Sequence, residues 1–126
     1  MKIGIIVAMQ DELACVEGML ENKTTATAES GSQFIMGHAG RHEIILTQSG
    51  IGKVNAAIRT FELIDKYHPD IVINSGVAGG IDKETRVMDM VVGTDVVYHD
   101  VWCGEGNEYG QVQGLPDRFA GNKELV

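Results

Sequence analysis

Ser49-Gly50-Ile51-Gly52-Lys53-Val54-Asn55-Ala56-Ala57-Ile58-Arg59-Thr60-Phe61-Glu62-Leu63-Ile64 runs on through Pro69 into Ile71-Val72-Ile73, and this stretch decides the fold class. A glycine-rich loop opens it. Val54, Ala57, Ile58, Phe61 and Ile64 then recur at helical spacing, which predicts a helix with one apolar face. Pro69 ends that helix, because proline has no N–H to donate and its ring clashes with the preceding turn. Ile71-Val72-Ile73 is a short β-branched run of the kind buried in a parallel sheet. Loop, helix and buried strand together make half of a βαβ unit.

Outward from this stretch the pattern continues. Ile3, Ile5, Ile6 and Val7 predict a buried strand at the start. Leu13, Val16, Met19 and Leu20 predict a helix from Gln10 to Leu20, with Asp11 and Glu12 in its first turn and Cys15 as a small core residue. Thr24 to Ala28 is a Thr-rich candidate strand, and Glu29-Ser30-Gly31-Ser32 reads as a turn. Phe34-Ile35-Met36 and Ile44-Ile45-Leu46 flank Gly40-Arg41 as a hairpin or meander. A further strand is expected from about Met90 to Tyr98, and Gly104, Gly106, Gly110 and Gly114 mark a long loop beyond His99. Lys123-Glu124-Leu125-Val126 looks like the first turn of a helix, too short to hold alone and so expected to fray or to pack on another chain. The expected fold is α/β, a mixed central β-sheet flanked by helices. At 126 residues it reads as one domain over 1–126.

Composition narrows the function classes. An apolar fraction of 44% and a charged fraction of 22% are those of a soluble globular protein. The formal net charge of −8, with ten scattered basic residues, argues against nucleic acid or an anionic membrane as partner, since phosphate recognition needs clustered Lys and Arg. No run reaches membrane-spanning length, and Lys2 is followed by too short an apolar run for a secretory signal. Two distant cysteines, Cys15 and Cys103, show neither a disulfide framework nor zinc spacing, and the expected setting is the reduced cytoplasm.

The glycine loops invite a phosphate-binding reading that their spacing refuses. A Walker A loop ending at Gly52-Lys53 needs glycine at 47 and a hydroxyl residue at 54, where Thr47 and Val54 stand. A dinucleotide fingerprint from Gly50 needs glycine at 55, which is Asn55. A tight strand-to-helix turn and a ligand site both remain open there. Gly76-Val77-Ala78-Gly79-Gly80 follows a predicted buried strand, the place where ligands sit in open α/β sheets; a plain flexible loop is the alternative. Glu12 by pattern alone is an acid favouring the helix dipole, worth about 0.3–1 kcal/mol. His99 and Asp100 are adjacent on a predicted strand and should point to opposite faces. His38, His42 and His68 are dispersed, with no metal spacing.

Three segments taken together carry a resemblance. Gly4-Ile5-Ile6-Val7-Ala8-Met9-Gln10-Asp11-Glu12, Ser49-Gly50-Ile51-Gly52-Lys53-Val54-Asn55-Ala56-Ala57 and Asn74-Ser75-Gly76-Val77-Ala78-Gly79-Gly80 resemble the 5′-methylthioadenosine/S-adenosylhomocysteine nucleosidase family, within the nucleoside phosphorylase fold. The resemblance implies hydrolysis of the bond between adenine and ribose, with water as second substrate and no metal or organic cofactor. It puts Glu12 on the catalytic glutamate, as the general base that orients and deprotonates water. Ala8, Met9 and Ile51 match positions lining the pocket for the nucleoside and its alkylthio group. Val77, Ala78 and Gly79 match the segment lying against the nucleoside, with Val77 where many members carry a hydroxyl residue. Glu108-Tyr109-Gly110-Gln111 resembles a loop that helps form a homodimer contact.

The family's chains extend beyond residue 126, and the aspartate that protonates adenine and a Met-Glu pair that grips the ribose lie in that downstream part. The 126-residue chain is therefore expected to be impaired alone, because general acid assistance is worth about 10²- to 10⁴-fold. Two other readings stay open: a non-catalytic, truncated, dimerising fragment, and a purine nucleoside phosphorylase in which phosphate replaces water.

Overall fold

The computed structural model describes residues 1–123 and Leu125; of the helical turn expected at the end, Glu124 and Val126 lie outside the described residues. The chain divides into two compact units, Met1–Gly79 and Gly80–Val126.

The first unit runs β1 (Lys2–Val7), α1 (Gln10–Glu17), β2 (Glu21–Thr27), β3 (Gln33–Ala39), β4 (His42–Gln48), α2 (Lys53–Tyr67) and β5 (Ile71–Asn74). Its five strands form one sheet in the order β2-β3-β4-β1-β5. The β2-β3-β4 meander is antiparallel, whereas β1 lies parallel between β4 and β5. The sheet is therefore mixed, with a helix on each face, as the α/β reading requires. Gly40 makes the tight β3–β4 turn at φ +57°, a conformation that favours glycine.

The sheet is held by alternation along β4. Ile44 and Leu46 point to one face, with Val7, Leu20 and Ile35, and α1 covers them through Leu13 and Val16. Ile45 points to the other face, where it meets Phe34 and the α2 residue Leu63. Burial on both faces explains why this strand reads as a continuous apolar run. Gly4 lets α2 approach β1: a Cβ there would lie 2.8 Å from Leu63 Cδ2.

Several expectations change. Helix α1 stops at Glu17, and Leu20 is buried beyond it rather than within it. Cys15 is exposed, not a core residue, because the inward stripe of so short a helix is confined to Leu13 and Val16. Helix α2 ends where Pro69 implies, with His68 in the left-handed region and its N–H bonded to Ile64 O at 3.0 Å. Its predicted apolar face is turned outward, however: Val54, Ile58, Phe61 and Ile64 are exposed, and the helix seats on the sheet through Leu63 and Tyr67. Periodicity finds an apolar stripe, but α2 has apolar residues on two sides. Strand β5 lies at a sheet edge with alternate residues exposed, not buried throughout.

In the second unit the strand expected from Met90 to Tyr98 contracts to β6 (Asp95–Val96), paired antiparallel with β7 (Phe119–Ala120). Tyr109 Oη donates to His99 O at 2.8 Å, and the Tyr109 ring stacks on Trp102. Among the described residues no helix is long and apolar enough to cross a membrane.

Candidate functional site

Parallel pairing aligns the ends of three strands. Val7 pairs with Gln48, and Ile6 pairs with Asn74, so the loops after β4, β1 and β5 leave one edge of the sheet side by side. Polar contacts pin them there. Ser49 N–H donates to Val7 O at 2.8 Å, its Oγ–H donates to Gly50 O at 2.7 Å, and Gln48 Nε2 donates to Ala8 O at 3.3 Å. From the other side Ser75 N–H donates to Ile6 O at 3.0 Å.

Glu12 closes this arrangement. It is the third residue of α1, whose N-cap is Met9 in an extended conformation. Its Oε2 accepts the N–H groups of Ala8 and Met9, each at 2.9 Å. The bond to Met9 N–H is half of a capping box, so Glu12 does support the helix N-terminus as its sequence position suggests. A local cap has no need of the third bond. Oε1 accepts the N–H of Val77 at 3.0 Å, from a loop 65 positions away. One carboxylate therefore ties the β1 and β5 loops together.

These bonds set its charge state. The Val77 N–H foremost, then that of Met9, and behind a smaller opposing effect of desolvation that of Ala8, hold the Glu12 carboxyl below the ordinary glutamate value. The group is ionised at neutral pH and accepts only. A carboxylate offers about four acceptor positions; among the described residues three are filled, which leaves one on Oε1.

The residues singled out from the sequence fall into two sets. Ala8, Met9, Glu12 and Val77 meet directly through the bonds just described. Ile51 stands on the adjoining loop, 75% exposed, with its carbonyl accepting Asn55 Nδ2 at 2.8 Å. Ala78 and Gly79 continue the β5 loop and are exposed. The Val77 side chain is 80% exposed and contributes no polar group, as its identity dictates. The polar contact at this position comes from its main chain, which no side-chain reading registers. His99 and Asp100 depart from the expectation of opposite faces: they lie in a bend, not a strand, with Nδ1 and Oδ1 3.9 Å apart and both side chains largely in solvent.

A second polar cluster lies on the meander side of the same unit. Ser32 Oγ donates to Glu62 Oε2 at 2.6 Å, Ser30 and Ser32 hydroxyls are 2.7 Å apart, and Arg59 Nη1 donates to Glu62 Oε2 at 3.0 Å. The serine hydroxyls, and then Arg59 and Lys66, hold the Glu62 carboxyl below its ordinary value against desolvation. A group depressed in the fold stabilises above its unfolded pKa and loses that contribution as pH falls through the folded value. Glu62→Gln is therefore expected to lower Tm at neutral pH and to flatten the decline in Tm below the ordinary glutamate pKa of about 4.3. Thermal denaturation across pH checks this; a parallel decline in both proteins would contradict it.

A mixed sheet whose parallel strand ends carry a main-chain-bound carboxylate defines an α/β protein, the class in which ligands sit beyond the carboxyl ends of the strands. The phosphorylase superfamily matches residues 2–126, and the chain belongs to that superfamily. A 5′-methylthioadenosine/S-adenosylhomocysteine nucleosidase of an Exiguobacterium species is 45% identical over all of this chain and 54% of its own length. Two solved structures superpose on it with TM-scores of 0.93. One is an S-adenosylhomocysteine nucleosidase of Streptococcus pyogenes in complex with 5-methylthiotubericidin, 35% identical, with 99% of this chain and 53% of that one covered. The other is a nucleosidase of Colwellia psychrerythraea in complex with adenine, 40% identical, with 99% and 52% covered. The chain spans about half the length of the curated relatives it matches.

Proposed function

We propose that this chain carries part of a site that hydrolyses the N-glycosidic bond of 5′-methylthioadenosine and S-adenosylhomocysteine, releasing adenine. The names of its relatives and the adenine complex of a similar structure support the substrate class. The observation that carries the mechanism is the Glu12 carboxylate, bound by three main-chain N–H groups and open at one position of Oε1.

Breaking a glycosidic bond builds positive charge on the sugar before water adds to it. A water molecule attacking such a cation needs orientation more than a strong base. Glu12 meets that need, being held ionised and with its direction fixed by the main chain, and its free acceptor position takes the water proton. In this reading Ala8, Met9 and Ile51 flank the sugar and its alkylthio group, while Val77, Ala78 and Gly79 lie against the nucleoside. Residues 1–126 belong to one nucleoside phosphorylase-like domain and work in the cytoplasm. Measured on these residues alone, turnover is expected to be about 10²- to 10⁴-fold below that of a complete nucleosidase, the usual worth of general acid assistance to the leaving group.

The test is adenine release from 5′-methylthioadenosine by the purified chain, with and without inorganic phosphate. Release at that reduced rate, independent of phosphate, is expected. Strict dependence on phosphate would favour the phosphorylase reading, and no release in either buffer would favour the non-catalytic one.

The working form in this proposal is a homodimer. Val54, Ile58 and Phe61 recur at i, i+4 and i+7 and form an exposed apolar stripe on α2, next to exposed Ile51. A second copy bearing the same stripe could cover it by two-fold symmetry. Phe61→Asp is expected to convert the dimer to monomer in sedimentation while leaving monomer stability within about 0.5 kcal/mol, since the side chain is 69% exposed. A wild-type chain that sediments as a monomer at high concentration would overturn this part of the reading.

A further inference from the structure

We infer that Gly76 is a positioning residue for Glu12, the missing Cβ being what allows the carboxylate to bridge the β1 and β5 loops. A Cβ at Gly76 would lie 2.7 Å from Glu12 Oε1, 3.1 Å from Cδ and 3.3 Å from Oε2. The whole carboxylate therefore crowds the space that a Gly76 side chain would take. Conformation gives no reason for glycine here, because Gly76 is not among the residues with φ in the left-handed region. The reason is space.

The consequence is specific to the carboxylate. The atoms a methyl group would strike are the far end of a side chain and not backbone, so the fold can accept the methyl group if Glu12 gives way. Giving way means moving off the Val77 N–H, since that N–H bonds Oε1, the oxygen that an added methyl group at Gly76 would strike first. The two bonds from Ala8 and Met9 belong to the start of α1 and can persist. A methyl group at 76 thus separates the two functions of Glu12: the helix cap remains, and the tie to the β5 loop is lost. Gly79, three residues on, has open space where its Cβ would be and supplies the control.

The catalytic meaning of this inference rests on Glu12 acting as the base, but its test does not. In a ¹³C- and ¹⁵N-labelled chain, the Glu12 carboxyl and the amides of Ala8, Met9 and Val77 are followed by NMR through an acid titration. In the unsubstituted chain all three amides should shift together with Glu12. In Gly76→Ala the Val77 amide should lose its response, the Ala8 and Met9 amides should keep theirs, and the Glu12 midpoint should rise. In Gly79→Ala the three amides and the Glu12 midpoint should titrate as they do in the unsubstituted chain. A Val77 amide that still titrates with Glu12 in Gly76→Ala would overturn the inference, whatever the activity measurements show. If Gly76→Ala unfolds, shortening the acid in the double variant Glu12→Asp/Gly76→Ala should restore the fold; a double variant no more stable than the single one overturns the inference as well.

Discussion

Glu12→Gln is expected to cut adenine release by about 10²- to 10⁴-fold, the usual worth of a positioned acid–base group. The substitution keeps the length and shape of the side chain and removes its charge. It also replaces one acceptor oxygen by a donor NH₂, while both oxygens now accept from N–H groups. Whichever way the amide turns, a donor faces a donor, either at Val77 or at Ala8 and Met9. The variant should therefore lose stability as well as turnover, and the acid limb of the pH–rate profile should disappear with the titrating group. Asp11→Asn, one residue earlier and exposed, is the matched control: it should leave turnover unchanged and cost no more than the roughly 0.3–1 kcal/mol of its helix-dipole interaction. Initial rates with both variants, beside their melting curves, check the prediction. Unchanged turnover in Glu12→Gln would remove this carboxylate from the chemistry and leave it a helix cap.

Leu63→Ala is expected to destabilise the chain by about 2–5 kcal/mol, the range for truncating a buried leucine. Leu63 is 0% exposed and is the buried residue of α2, set against Phe34 and Ile45. Without it the helix keeps the flanking contact of Tyr67 with that cluster and the Arg59 and Lys66 cations over the Phe34 ring. Gly4 makes the prediction sharper. Gly4→Ala alone should cost about 1–3 kcal/mol, because its methyl group meets Leu63 Cδ2 at 2.8 Å in a packed core. Once Leu63 is truncated, that methyl group enters the space left behind. The double variant should thus be less destabilised than the sum of the two single changes, and urea denaturation of all four proteins measures the difference. Strict additivity would mean that these two residues do not touch as described.

Fold class was legible because its signals are local. The β-branched runs at Ile3–Val7 and Ile44–Leu46 need only their own composition to read as strands, and Pro69 marks the end of α2 without help from the rest of the chain. Helix orientation was not legible. The stripe Val54, Ile58, Phe61 is as apolar as any core face, yet a single Leu63 on the other side decides which face meets the sheet, since Gly4 opens a place for it there. Strand β5 departs from its expected burial for a related reason: an apolar run states that a strand can be covered on both faces, and its position at a sheet edge depends on neighbours.

The site divides in the same way. Glu12 and the loops at 8–9, 49–52 and 76–79 are site candidates through their joint resemblance to a family, where each alone supports a bland reading. What holds Glu12 was beyond the reach of residue identities, because all three donors are main-chain N–H groups. One of them belongs to Val77, whose side chain argues against a polar contact. Parallel register brings that N–H to the carboxylate, and pairings such as Ile6 with Asn74 become visible only in the folded sheet.

We propose that these converging loops hold an ionised carboxylate beside an adenine nucleoside. It is tested most directly by adding a non-hydrolysable analogue of 5′-methylthioadenosine to the ¹⁵N-labelled chain and recording amide shifts. Saturable changes are expected at Ala8, Met9 and Val77, and they should be lost in Glu12→Ala. Saturable binding that leaves those three amides unmoved would contradict it, as would the absence of any binding at millimolar analogue.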